Sequence, residues 1–124
     1  MRTTAQRAGD DAETRVGALL EADGWRVLGR QIRVGRSEID LLAIDPGPPR
    51  QLVVVEVRWR SRRDFGLAEE TVDGRKRARL HRAGFALAAA GRLPDGTALP
   101  ALPLRFDLVA IEPGGRVRHH RHGA

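Results

Sequence analysis

The segment SEIDLLAIDPGPPRQLVVVEVRWR, residues 37–60, constrains the fold more than any other part of the chain. Two apolar runs rich in Leu, Ile and Val flank a turn dense in Pro and Gly, the pattern of a β-hairpin. Side chains alternate faces along a strand. Glu38, Asp40, Leu42 and Ile44 therefore share one face, and Leu52, Val54, Glu56 and Arg58 share another. Folding the hairpin about Gly47 and Pro48 sets Asp40 opposite Glu56 and Glu38 opposite Arg58, with Cβ atoms about 4.5–5.5 Å apart. A register slip of one residue would undo this facing. Two close carboxylates repel unless a proton or a cation lies between them. Hard oxygen ligands favour Mg²⁺ or Mn²⁺, and a cation so held polarises a phosphoryl oxygen and helps generate hydroxide. The competing reading is a Glu38–Arg58 ion pair, with Asp40 and Glu56 wetted on an open sheet face.

The remaining elements follow from periodicity. Residues 10–23 carry Ala12, Val16, Leu19 and Leu20 at helical spacing, with Asp10, Asp11 and Glu13 placed to favour the N-terminal end of the dipole and Gly24 as the stop. Glu13 lies on the shoulder of the buried face. Residues 25–34 read as a strand with a bulge at Gly29, followed by strands 37–44 and 52–59. A helix over 73–90 has apolar positions Leu80, Phe85, Leu87 and Ala88, with Gly84 as a weak point. A Pro/Gly connector leads to a last strand at 104–112. Residues 1–112 thus form one α/β domain of order α-β-β-β-α-β, a mixed sheet flanked by helices, and 113–124 reads as a flexible C-terminal tail.

Composition narrows the function. The chain of 124 residues has no cysteine, which excludes disulfides and thiolate zinc sites. The N-terminal stretch lacks an apolar signal region and no apolar run could span a bilayer, so a cytoplasmic protein without membrane partners is expected. Net charge is +6, and Lys76 is the single lysine among 22 Lys and Arg residues. Arg suits bidentate phosphate contact, although genomic base composition also enriches it. Its positions say more: Arg60, Arg62, Arg63, Arg75, Lys76, Arg77 and Arg79 cluster as a duplex backbone would select. His119, His120 and His122 form a weak transition-metal attractor in the tail. Trp25 reads as core, and Trp59, off the parity of Glu56, is expected to pack against a helix on the opposite face.

These motifs, in this order, resemble the YraN-type bacterial proteins of the PD-(D/E)xK nuclease-like superfamily, related in fold to Holliday-junction resolvases. The resemblance runs through Gly9 and Glu13, Leu20, Gly24 and Trp25, and Arg30, Gln31 and Arg33. It continues in Glu38-Ile39-Asp40-Leu41-Leu42-Ala43 and Val55-Glu56-Val57-Arg58-Trp59-Arg60. Phe65-Gly66, Val72, Lys76, Leu80 and the RFDLVAI strand complete it. It implies a restriction-endonuclease-like core in which Asp40 and Glu56 bind Mg²⁺ or Mn²⁺, assisted by Glu13 and the Val57 carbonyl. It also implies phosphodiester hydrolysis, with DNA rather than RNA as substrate, branched or damaged forms included; homodimerisation is implied only by the resolvase analogy. The chain departs from the pattern where Arg58 replaces the motif lysine, Trp59 a small polar residue and Gln31 an asparagine. Arg58 cannot act as a base but can stabilise a pentavalent phosphoryl group. Lys76 is either a phosphate contact or a relocated site lysine. A metal-dependent endonuclease using Glu13, Asp40, Glu56 and Arg58 is therefore the leading expectation. The alternatives are a silent nuclease fold that only binds nucleic acid and, behind it, a purely structural interaction domain.

Overall fold

The computed structural model describes residues 3–59 and 74–124. Helix α1, Thr4–Ala22, precedes three strands, β1 Arg26–Val34, β2 Ser37–Asp45 and β3 Gln51–Trp59. Helix α2, Gly74–Ala90, leads to β4 Leu104–Ile111 and β5 Val117–His120. The five strands lie in sequence order; β3 and β4 run parallel and every other neighbouring pair is antiparallel. A parallel pair needs a crossover, and the span containing α2 supplies it.

The two helices cover opposite faces. Ala12, Val16 and Leu20 of α1 pack on Leu41, Ala43, Val53, Val55 and Val109. Leu80, Ala83 and Leu87 of α2 pack on Leu42, Ile44, Leu52, Val54 and Phe106. Because β3 is covered on both sides, it reads as a continuous apolar run rather than an alternation. Gly84 permits this closeness: a Cβ there would lie 2.6 Å from Phe106 Cε1 and 3.1 Å from Val54 Cγ2.

The hairpin register is the expected one, with Leu41 opposite Val55 and Ile44 opposite Leu52. The bulge at Gly29 is present as a register shift between Val27 and Gly29. Gly24, at φ 87°, ends α1, and the Trp25 N–H reaches back to the Leu20 carbonyl at 2.9 Å.

Four expectations need correction. Helix α1 begins at Thr4, so Asp10, Asp11 and Glu13 lie inside it and not in the first turn, where the dipole would favour them. Phe85 is 58 % exposed, because the small residues Ala83 and Gly84 set the phase at which α2 meets the sheet. Trp59 lies on the expected face yet remains 52 % exposed. The tail is not frayed, since Val117–His120 pairs with β4.

A buried ionic cluster anchors that last strand. Arg105 binds both oxygens of Asp107, at 2.9 and 2.8 Å, and reaches Asp45 at 2.9 Å. His119 Nε2 meets Asp107 at 2.8 Å, and the His122 N–H donates to the same carboxylate at 3.0 Å. With Asp107 fully buried, these partners answer the cost of burying its charge.

Candidate active site

The acids meet where β2 and β3 part. Their pairing runs from Asp45–Gln51 to Leu41–Val55. One step farther, Asp40 Oδ2 accepts the Val57 N–H at 2.8 Å, filling the place of the next ladder bond. Leu52 points its N–H the other way, to the Pro103 carbonyl beside β4. Alternation along the strand then sends both polar groups of Val57 toward Asp40, so the Val57 carbonyl leaves on the site side.

Glu13 comes down from α1 onto this fork, buried on the sheet-facing side. One carboxylate oxygen each from Glu13, Glu38 and Asp40 lie within 4.8 Å of one another. Glu56 stands beside them, but its Oε1 is 2.9 Å from Lys76 Nζ of α2. Burial pushes the Asp40 carboxyl up to about 8, the Glu56 charge pushes the same way, and the Val57 N–H only partly opposes them. Burial also raises Glu13, against hydrogen bonds from Asp40 and Gln31. Asp40 is thus a carboxyl that burial and its carboxylate neighbours press toward the neutral form.

Two clefts open from the fork. One, of about 290 Å³, is lined by Arg36, Ser37, Glu38, Asp40, Glu56, Lys76, Arg79 and Leu80, with acids and cations together. The other, of about 280 Å³ on the α1 side, holds Asp10, Glu13, Thr14, Arg30 and Gln31. Gln31 adopts φ 50°, a conformation rare outside glycine, and donates its amide to Asp10. Arg30 Nη1 ties β1 to Thr14 at 2.8 Å, steadying the helix that carries Glu13.

Of the expected site residues, Glu13, Asp40, Glu56 and Val57 come together. Arg58 lies two residues past Glu56, with Nε and Nη2 buried and without a hydrogen-bond partner among the described residues. The competing Glu38–Arg58 ion pair is not formed, because the pairing of β2 with β3 ends at Leu41–Val55, before that register position. Arg60, Arg62 and Arg63 fall outside the described residues. Arg75, Arg77 and Arg79 are exposed along α2, and Lys76 turns inward to Glu56. The histidine tail gathers no ligand set among the described residues, and His119 is committed to Asp107. Sequence reasoning missed Glu38 as a member of the acid cluster, although its spacing of two from Asp40 was the available signal. It also missed Arg36, whose place in the cleft depends on the turn between β1 and β2.

A helix, an antiparallel three-stranded run, a second helix and a parallel fourth strand, with acids at the fork, define a restriction-endonuclease-like α/β protein. The chain belongs to the Uncharacterised protein family UPF0102, whose model matches residues 12–111. It is 39 % identical over 112 residues to the UPF0102 protein of Moorella thermoacetica, covering 90 % of this chain and 85 % of that one. It is 42 % identical over 112 residues to the relative from Roseiflexus castenholzii, covering 90 % and 84 %. The relative from Halorhodospira halophila is 43 % identical over 111 residues, covering 90 % and 82 %. Among solved structures, the Ca²⁺ complex of Pyrococcus furiosus SfsA aligns with a TM-score of 0.31 and 17 % identity, covering 93 % of this chain and 61 % of SfsA. No described helix is long and apolar enough to cross a membrane.

Proposed function

We propose that the protein is a divalent-metal-dependent nuclease acting on DNA phosphodiesters. The observation that carries this reading is the convergence of Glu13, Glu38 and Asp40 to within 4.8 Å at the open end of the sheet. Ligand oxygens of Mg²⁺, and of larger hard cations, sit about 2.0–2.6 Å from the ion. The cluster therefore fits one such ion, with Glu56 and the Val57 carbonyl as further oxygens. When bound, Mg²⁺ or Mn²⁺ supplies a Lewis acid for a phosphoryl oxygen and lowers the pKa of a bound water.

The chain's own groups do the rest. Arg36 and Arg79 line the cleft beside the acids and can hold the phosphates on either side of the scissile bond. The Lys76 ammonium, held at Glu56, can position a water without adding to the negative charge. Arg58 has two buried donors without a partner among the described residues and is not among the residues that line either cleft. Its help to a pentavalent phosphoryl group would therefore come through its charge and not by contact.

A second reading, a nuclease fold that binds DNA without cutting it, is favoured by one observation: Glu56 is already satisfied by Lys76. Cleavage of labelled linear, flapped and four-way DNA with Mg²⁺ or Mn²⁺ decides between them. Wild type is expected to cut, Asp40→Asn to lose nearly all activity, and Lys76→Ala to lose about 10²-fold or more. Cleavage undiminished in Asp40→Asn overturns the site assignment. Cleavage by Arg58→Lys alone establishes the binding-only reading. Binding that falls steeply with salt is expected in either case, and a flat salt curve counts against phosphate contact altogether.

A further inference from the structure

Trp59 ends β3 with half of its indole in water, 52 % exposed. It shares a strand face with Val57, whose side chain packs in the α1 cluster, and lies two residues beyond it, about 7 Å along the strand. That is close to one nucleotide's step in an extended single strand. The indole forms one wall of a cleft of about 220 Å³, with Asp11 and Arg15 of α1 opposite.

A polar tether keeps the cleft open. Arg15 Nη2 donates to the Gly115 carbonyl at 2.6 Å, which draws the guanidinium toward the β4–β5 turn. Among the described residues no aromatic ring stacks on Trp59 and no cation covers it. Trp25 is the contrast: 7 % exposed, it lies 5.4 Å from the His119 ring and 5.5 Å from the Arg105 guanidinium.

We infer that Trp59 is a stacking platform for an unpaired base of the strand whose phosphodiester lies at the acid cluster, and that it directs the site to single-stranded or flapped DNA. The inference rests on the nucleic-acid reading above. A base inside a duplex has both faces occupied by its neighbours and cannot offer one to the indole, whereas an unpaired base can. Stacking on an aromatic ring tolerates every base, because each has a π-face. The surroundings match such a ligand, with the tethered Arg15 lending positive charge to the cleft and Asp11 able to accept a hydrogen bond from an exocyclic amine. A protein partner fits less well. Among the described residues the other exposed large hydrophobics, Leu19 and Phe85, do not line this cleft, so those residues build no broad apolar patch around Trp59.

The two tryptophans make the test direct, since only the exposed one can report contact by quenching. In the Asp40→Asn background with Mg²⁺, tryptophan emission is followed while a single-stranded oligonucleotide or a blunt duplex is added. Expected are saturable quenching by the single strand and little by the duplex. Trp59→Ala should weaken single-strand affinity about tenfold and Trp59→Phe much less, both melting at the parent temperature. Salt-sensitive binding without quenching, or undiminished affinity in Trp59→Ala, overturns the role of Trp59 and leaves the nucleic-acid reading in place. No binding to either DNA at low salt overturns both.

Discussion

The Asp40 carboxyl that accepts the Val57 N–H is the same one that burial and the Glu56 charge push up to about 8. Asp107 is its opposite. Burial acts to raise that carboxyl too, but His119, Arg105 and the His122 N–H outweigh it and hold it at about 2. The two therefore shape stability in opposite senses, by the linkage between proton binding and folding. Asp107 contributes stability that is present above its ordinary value of 3.8 and is lost as pH falls toward about 2. Asp40 prefers its proton when folded, so its contribution is present below 3.8 and is lost as pH rises toward about 8. Melting of the metal-free protein across this range should show a rising acid limb and a declining limb from pH 4 to 8. Asp40→Asn should flatten the second limb and melt above wild type at pH 8. A variant less stable than wild type at that pH would mean that the carboxylate charge itself holds the fork together.

Among the elements, the hairpin was the most legible. A turn dense in Pro and Gly and two runs of matched parity left one register that buried the apolar residues, and Asp40 and Glu56 followed from it. Extrapolation failed only past Leu41–Val55, where the strands diverge and Glu38 turns to Glu13 and not to Arg58. Helix α2 was placed correctly, but the reason for Gly84 was not visible. Helix propensity marks a glycine as a weakness, whereas here it gives Phe106 and Val54 room against the helix. Gly84→Ala should therefore destabilise, by about 1–3 kcal/mol in denaturant unfolding, despite the better propensity of alanine. An unchanged or increased stability would mean that Phe106 moves aside at no cost. Strand β5 was missed because VRHH has no apolar pattern. Its reason for existing is Asp107, twelve residues away from His119, and local sequence does not show such a pairing.

At the scale of the molecule, the order of elements and the family resemblance were readable through nearly the whole chain. What escaped was the closure of the sheet by its C-terminal strand. Removing residues 113–124 would uncover the β4 edge and strip Asp107 of two of its hydrogen bonds. Bonds to a charged group contribute about 1.5–3 kcal/mol each, so the loss should be roughly 3 kcal/mol or more, with aggregation through the bared edge. His119→Ala should show about half of that loss and remain monodisperse. A truncated protein that melts with wild type would show that the last strand is an ornament of the fold. Charge is also arranged at this scale, with Arg75, Arg77 and Arg79 on the exposed side of α2 while Lys76 reaches the acids.

That arrangement leaves the chain with one side-chain amine, and it stands at the candidate site against Glu56. Amine-selective acylation followed by intact-mass measurement thus reads a single position besides the α-amino group, with no engineered label. Occupancy of the cleft becomes a matter of counting adducts: whatever fills the space around Glu56 must shield the one lysine or release it to the reagent.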